Sequence, residues 1–144
     1  MTLPHADTPT VRDGPPLADA KVAVVLLHGR GASAESILDL GHALEIEEAA
    51  LLAPQAEGSS WSPYSFLAPL TRNDPFLSGA LARIGALVSE IEAGGMARDR
   101  IVLIGFSQGA CLSLEFLARS GEPLGAVVAL SGGLIGNQDL PGVT

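Results

Sequence analysis

The 144-residue sequence contains one cysteine, Cys111, and few aromatic or basic side chains. A single cysteine cannot form an internal disulfide, which excludes the disulfide-stapled secreted scaffolds. Lysine and arginine together number 8 against 16 acidic residues, and the net charge of −8 argues against binding to nucleic acid or to anionic membranes. The first twenty residues hold four prolines and no apolar run, unlike a signal peptide. Nor is any apolar run long enough to span a membrane. We therefore expect a soluble, cytoplasmic protein.

What the chain does contain is enough apolar side chain, 47% of residues, to build the core of one compact domain. Residues 1–20 are predicted to be an irregular lead-in and residues 21–144 to form the domain. Short runs rich in β-branched and other apolar residues, typical of buried strands, alternate with amphipathic stretches typical of helices. The predicted strands are 22–27, 49–53, 101–104 and 126–130, and the predicted helices run from a cap at Ser33 to about 46, from Asp74-Pro75 to about 93, and over 108–119.

Alternating strands and helices predict a mostly parallel sheet with right-handed crossovers and helices on both faces. In such sheets the functional groups lie at the carboxyl ends of the strands. Glycine-rich breaks follow the first strand, at residues 28–31, and the third, at residues 105–109. If those two strands are neighbours in the sheet, the two breaks face each other.

The break after the third strand reads Gly105-Phe106-Ser107-Gln108-Gly109 and matches G-x-S-x-G. This spacing suits a nucleophilic serine on a sharp turn between strand and helix, which projects the hydroxyl clear of the sheet. Such a turn holds the serine at positive φ and brings strand and helix so close that only glycine fits on either side, here at Gly105 and Gly109. The alternative is a structural turn that happens to contain serine.

The break after the first strand, His28-Gly29-Arg30-Gly31, supplies the second part of a site for acyl transfer. Two backbone N–H groups must point at the oxyanion that forms when serine attacks a carbonyl. One comes from the residue after the nucleophile, Gln108, and the other from a loop after a neighbouring strand, for which Arg30 is the candidate. A plain turn between strand and helix is the alternative.

The ordered segments LLHGRG, APQAEGSSW and IGFSQGA, followed by LSGG, resemble the phospholipase/carboxylesterase group of α/β-hydrolases, which includes the acyl-protein thioesterases. The resemblance runs from about residue 22 onward. It implies a three-layer α/β-hydrolase sandwich and a serine hydrolase that cleaves carboxylic esters or thioesters through an acyl-enzyme on Ser107. It further implies oxyanion donors at Arg30 and Gln108, a small or lipid-like ester substrate, and no metal or cofactor.

The sequence departs from that family in one important respect. In the family an aspartate and then a histidine follow the serine, each after a later strand, whereas no histidine follows Ser107 here. The segments that match cover about the first two thirds of such a domain, so we expect a fold that stops before the last strands. The alternative function is therefore a catalytically incomplete fragment or a non-enzymatic binding or assembly subunit, with a homo-oligomer or a complementing chain as its partner.

The remaining candidates receive structural interpretations. His28 is expected to organise the oxyanion loop rather than to act as base, His42 to lie on the surface, and His5 to lie in the flexible lead-in. Asp139 is interpreted as a turn residue, because no strand separates it from the fourth strand. Cys111 is interpreted as a small buried hydrophobe.

Three aromatic residues, Trp61, Tyr64 and Phe66, lie in the long loop between residues 55 and 73. Loops of that length in a compact domain are often functional. The resemblance suggests that these side chains line an acyl pocket. They could equally anchor the loop to the core, and the sequence does not choose between the two.

Overall fold

The computed structural model describes residues 3–63 and 70–130, without the side chains of residues 70 and 71. Its centre is a sheet of five strands, which are β1 Thr10–Asp13, β2 Val22–Leu27, β3 Ala49–Pro54, β4 Ile101–Phe106 and β5 Ala126–Leu130. Their order in the sheet is β1-β3-β2-β4-β5. Strand β1 runs antiparallel to β3, while β3, β2, β4 and β5 are parallel to one another. All four predicted strands are present with the predicted starts.

The predicted helices are also present, and their first turns show why they begin where they do. At the first helix the Ser33 side chain accepts from the Ser36 N–H while the Ser36 hydroxyl oxygen accepts from the Ser33 N–H, each at 3.2 Å. At the helix that begins at Phe76, the Asp74 carboxylate accepts from the N–H of Ser78 at 3.0 Å. The helices are α1 Ala34–Ala43, α2 Leu70–Asn73, α3 Phe76–Ala93 and α4 Gln108–Ser120.

The helices cover the sheet from both sides, so the predicted three-layer architecture is confirmed. One apolar cluster lies between α1 and the sheet, around Val24, Leu26 and Ile37. The other lies between the opposite face and α3 and α4, around Leu103, Ile84 and further residues of those helices. No helix in the described ranges is long and apolar enough to cross a membrane.

The lead-in, expected to be irregular, is structured in part. Strand β1 adds to the free edge of β3, with Thr10 opposite Pro54 and Asp13 opposite Leu51. The sequence gives little signal for it, because an edge strand of four residues with only one apolar member lacks the run that marks the buried strands. The expectation that His5 is flexible is also wrong, since its side chain is only 1% exposed.

The spacing of apolar residues along α4 predicts an inward face formed by Cys111, Leu114 and Leu117 or Ala118, and the observed face differs from it. Leu112 and Phe116 are buried, whereas Leu114 is only half-buried and Leu117 is 37% exposed. The helix is fixed in rotation by the tight bend at its start, which hydrophobic periodicity does not encode. In α1, the apolar spacing through Ile37, Leu40 or Gly41, and Leu44 predicts that Leu44 also faces inward, but Leu44 follows the last helical residue and is 45% exposed.

One part of the sheet carries exposed apolar side chains. Because Phe106 pairs with Leu130 and Ile104 with Val128, these residues share the α1 side of β4 and β5. Helix α1 packs on β1, β2 and β3, while α4 packs on the opposite side of β4 and β5. Phe106 and Val128 are consequently 46% and 40% exposed.

Candidate active site

Ser107 occupies the sharp bend that the sequence predicts. It is the only residue between the end of β4 and the start of α4, and it adopts φ 56° and ψ −113°. Positive φ is strained for a residue with a side chain, and such strain concentrates at functional positions. The bend is held by the N–H of Ser107, which donates to the Leu130 carbonyl of β5 at 2.8 Å. The serine is exposed, so its hydroxyl is accessible at the carboxyl end of the sheet.

The two flanking glycines make this bend possible. A Cβ on Gly105 would overlap the Gly109 carbonyl and the Ser113 hydroxyl oxygen. A Cβ on Gly109 would lie 2.7 Å from the His28 carbonyl oxygen and would overlap that of Leu27. The predicted reason for glycine at both positions, close approach of strand and helix, is therefore confirmed.

The loop after β2 lies directly beside the serine, because β2 and β4 are neighbours with Leu27 opposite Gly105. A Cβ on Gly29 would lie only 3.4 Å from the Ser107 Cβ. The two glycine-rich breaks therefore face each other, as expected for adjacent strands.

A tight turn presents Arg30 at this point. The Ala32 N–H donates to the Gly29 carbonyl at 3.1 Å, and Gly31 has φ 75°, a value that favours glycine at the third position of a turn. The Gly31 N–H donates to the Ser59 carbonyl at 2.7 Å, which fixes the turn to the next loop. The Arg30 side chain is exposed and reaches the Pro63 carbonyl at 3.3 Å.

His28 is fully buried and both of its ring nitrogens are engaged. Nε2 accepts from the Ala56 N–H at 3.0 Å, and the Nδ1–H donates to the Gly29 carbonyl at 2.8 Å. Since a backbone N–H can only donate, Nε2 carries no proton and the imidazole is neutral. Burial lowers the pKa of His28. The residue thus organises the loop backbone and has no free nitrogen for the serine hydroxyl.

The Gln108 side chain has a role that the sequence did not reveal. Its Oε1 accepts from the Trp61 N–H at 2.9 Å, and its Nε2 donates to the Ser62 carbonyl at 3.2 Å. These bonds join the first turn of α4 to the long loop and bury the amide. The backbone N–H of Gln108, as the first of the helix, has no acceptor within the helix and lies at its positive end.

Trp61 anchors the loop. Its side chain is 0% exposed, its indole N–H donates to the His28 carbonyl at 2.9 Å, and its ring stacks on the His28 ring at 5.1 Å. These are the contacts of a side chain that anchors the loop to the core, the second of the two alternatives for Trp61. Tyr64 and Phe66 lie outside the described residues.

An apolar cavity of about 310 Å³ opens next to the serine on the α1 side. It is adjacent to Ser107, because Gly29 and Phe106 belong to its wall. Apart from His28, the rest of its lining is aliphatic or small, which suits an apolar group of a substrate. The lining residues are His28, Gly29, Ala32, Ser36, Ile37, Leu40 and Phe106.

The other candidates lie away from this chemistry or beyond the described residues. His42 is half exposed and contacts the Asp13 carboxylate at 2.9 Å, at the amino ends of the parallel strands. Cys111 is half-buried against the core, and its N–H donates to the Ser107 carbonyl at 3.1 Å. Asp139 falls outside the described residues. Within residues 3–63 and 70–130, no cluster of three or more metal-ligating side chains occurs.

Two buried neutral histidines make the free energy of unfolding depend on pH. Burial is the main cause that lowers the pKa of His5 and His28 below the ordinary 6.5. The unfolded chain therefore binds more protons just below pH 6.5, and stability declines as pH falls through that region, by up to about 1.4 kcal/mol per pH unit per proton. Urea unfolding between about pH 7.5 and 5.5 measures this slope. A flat profile would show that the histidines are not buried as neutral groups.

Comparison with known proteins places this geometry in a family. A family model described as phospholipase/carboxylesterase matches residues 15–144. The crystal structure of a phospholipase/carboxylesterase from Dyadobacter fermentans superposes with a TM-score of 0.89 at 45% identity, covering 99% of this chain and 66% of that one. An acyl-protein thioesterase 2 from Zea mays shares the fold, with a TM-score of 0.66 at 23% identity over 89% of this chain and 63% of that one.

An uncharacterised hydrolase of Mycosarcoma maydis is 31% identical over an alignment of 130 positions, and the alignment covers 78% of this chain and 49% of the relative. The chain thus spans about half the length of this curated relative and just under two thirds of the solved structures. The matched region includes the serine bend, both glycine-rich breaks and the long loop. The chain belongs to the phospholipase/carboxylesterase family, with the α/β-hydrolase fold.

Proposed function

We propose that this chain carries the nucleophile and the oxyanion site of a serine hydrolase that cleaves carboxylic esters or thioesters through an acyl-enzyme on Ser107. The observation that carries the proposal is the strained, exposed serine beside the loop after β2. Family membership supports hydrolysis of esters as the reaction class. The apolar cavity beside Phe106 supports a small or lipid-like ester as substrate.

In the proposed reaction, the Ser107 Oγ attacks the substrate carbonyl while its proton passes to a base. The carbonyl oxygen becomes an oxyanion, which the backbone N–H groups of Gln108 and Arg30 stabilise. One donor of this kind contributes about 3 kcal/mol to transition-state stabilisation. Collapse of the tetrahedral intermediate expels the alcohol or thiol and leaves the acyl group on Ser107, and water then releases the acid.

The base is the part of the mechanism that the chain's three histidines do not supply. His28 and His5 are buried with both ring nitrogens hydrogen-bonded. His42 lies at the amino ends of the parallel strands, whereas Ser107 lies at their carboxyl ends. The proposed base therefore belongs to polypeptide other than these 144 residues, in the part corresponding to the third of the solved Dyadobacter fermentans relative that this chain does not cover. This base is expected to follow Ser107 in the order typical of the fold.

The alternative is a catalytically incomplete binding or assembly subunit. It is favoured by the exposed apolar face at Phe106 and Val128, which a homo-oligomer or a complementing chain would cover. The acidic charge and the single cysteine still predict a cytoplasmic protein whose ligand is not nucleic acid. Under this alternative, the chain elutes as an oligomer and its serine reacts no faster than ordinary serine.

Trapping the acyl-enzyme tests the proposal directly. After brief incubation with p-nitrophenyl acetate and acid quench, mass spectrometry should find one acetyl group on the peptide that contains Ser107, because the oxyanion donors accelerate attack there. The variant Ser107→Ala provides the matched control for acetylation at Lys21 or the amino terminus. Equal labelling of the two proteins, confined to amines, would contradict the proposal.

A further inference from the structure

His5 lies far from Ser107 in the sequence but is built into the support of the site. Its Nδ1 accepts from the Glu57 N–H at 2.9 Å, and its Nε2 lies 2.8 Å from the Trp61 carbonyl oxygen. Because a backbone N–H can only donate, Nδ1 is unprotonated and Nε2 carries the proton that it donates to Trp61. One neutral imidazole is therefore hydrogen-bonded to both ends of the segment 57–61, and we call this pair of hydrogen bonds the clamp.

The amino-terminal segment is held firmly enough to act as such a clamp. The His5 ring packs between the rings of Trp61, at 5.2 Å, and Phe76, at 6.2 Å. The Pro4 carbonyl lies against Gly79 of α3 so closely that a Cβ there would overlap it. Arg83 of α3 donates to the Thr8 carbonyl at 2.7 Å. The segment is thus fixed on α3 and fixes the loop in turn.

The clamped segment contacts both proposed sources of oxyanion stabilisation. Trp61 donates its backbone N–H to the Gln108 side chain and its indole N–H to the His28 carbonyl, each at 2.9 Å. Gln108 carries one proposed donor on its own backbone, and His28 stands two residues before Arg30, which carries the other. A displacement of Trp61 is therefore transmitted to Gln108 through one hydrogen bond, and to the backbone that leads to Arg30 through the other.

We propose that His5 is a positioning residue, which in its neutral form holds Trp61 and thereby sets the spacing of the oxyanion donors. Its effect on catalysis rests on the proposed function, whereas its effect on Trp61 does not. His5 precedes the residues matched by the family model, which begin at 15. Protonation of Nδ1 removes the acceptor of the Glu57 N–H, so the clamp opens in acid.

Groups on the surrounding elements act on the His5 charge in opposite directions. Burial is the largest cause that lowers its pKa, the nearby Glu57 carboxylate raises it, and His28 lowers it. Trp61 and Phe76, which pack on the ring, do not titrate. The clamp is therefore closed at neutral pH and opens below pH 6.5.

Trp61 is the chain's single tryptophan, so its fluorescence reports on the clamp without any assay of activity. We compare His5→Gln, which keeps a donor and an acceptor, with His5→Ala, which keeps neither, and with the surface control His42→Gln. Wild-type protein and the control should show a step in emission below pH 6.5. His5→Gln should lose this step, and His5→Ala should also show greater quenching by acrylamide at neutral pH.

Acylation of Ser107 by p-nitrophenyl acetate supplies the second readout. His5→Ala should acylate about 10- to 100-fold more slowly with unchanged apparent substrate affinity, as expected for misplaced donors. His5→Gln should restore most of the rate. If Ser107 does not acylate in any variant, the proposed function fails while the fluorescence step still decides the position of His5.

An emission step that persists unchanged in His5→Gln would assign the titration to His28 and overturn the proposal. Equal acrylamide quenching in His5→Ala and His42→Gln would overturn it as well. Nitrogen-15 NMR of the unsubstituted protein decides the case even if a variant fails to fold. It should show His5 with an unprotonated Nδ1, and the opposite tautomer would contradict the clamp.

Discussion

Replacing Ser107 with alanine should reduce the rate of ester hydrolysis by at least about 10³-fold in any preparation that contains the base. In the proposed mechanism the Ser107 hydroxyl forms the acyl-enzyme, and without it the proposed oxyanion donors have nothing to stabilise. Initial rates with p-nitrophenyl acetate measure the effect. Because Ser107 is exposed and alanine shares its backbone preferences, stability should change by less than about 0.5 kcal/mol.

The 144-residue chain, whose histidines do not supply the base in the proposed mechanism, offers a sharper version of this experiment. If proton removal from Ser107 limits the reaction, added imidazole should raise the rate of the 144-residue chain. Imidazole also hydrolyses activated esters by itself, so the serine-dependent rate is the difference between the chain and Ser107→Ala in the same buffer. A difference of zero at every imidazole concentration would mean that the serine is not the nucleophile.

Replacing Gly109 with alanine should destabilise the fold by about 3 kcal/mol, although alanine is the better helix former. The added Cβ would overlap the Leu27 carbonyl oxygen, which belongs to a strand that cannot retreat because β3 and β4 pair with it. The first turn of α4 must therefore move away from β2. That movement separates the Gln108 N–H from Arg30, so acylation of Ser107 should fall in the same variant.

A matched glycine in α3 provides the control. A Cβ on Gly85 would meet only Phe116, at an ordinary 3.9 Å. Gly85→Ala should therefore stabilise the protein by up to about 1 kcal/mol through helix propensity alone. Urea unfolding of both variants should move the midpoints in opposite directions. Equal midpoints for Gly109→Ala and wild type would show that strand and helix are not in contact at this point.

Hydrophobic patterning predicts most of the fold because all four parallel strands appear as continuous apolar runs, of which β2, β3 and most of β4 are buried. Strand β1 escapes prediction because its stability comes from pairing with β3 rather than from its own side chains. The rotation of α4 about its own axis could not be predicted for a related reason. A contact between backbones at Gly109, and not the apolar stripe of the helix, decides which side chains face the sheet.

The backbone geometry of the candidate site could be predicted from the sequence, whereas the side-chain hydrogen bonds that hold it in place could not. The glycine spacing around Ser107 encodes the bend directly, since a glycine is required wherever two backbones touch. The bonds from Trp61 to Gln108 and from His5 to Trp61 join residues 47 and 56 positions apart. Hydrogen bonds between residues so far apart leave no local pattern in the sequence. The prolines near His5 favour an irregular, flexible segment, and the sequence therefore does not predict that His5 is buried.

The contact between Gly109 and the end of β2 also bears on how the family could diversify. The floor beneath Ser107 consists of peptide groups, which side-chain substitutions outside the contact at Gly109 leave in place. The exposed side chains of Arg30 and Phe106 stand at the rim of that floor. Under the proposed function, single substitutions at the rim can therefore change the substrate preference without altering the bend that carries Ser107.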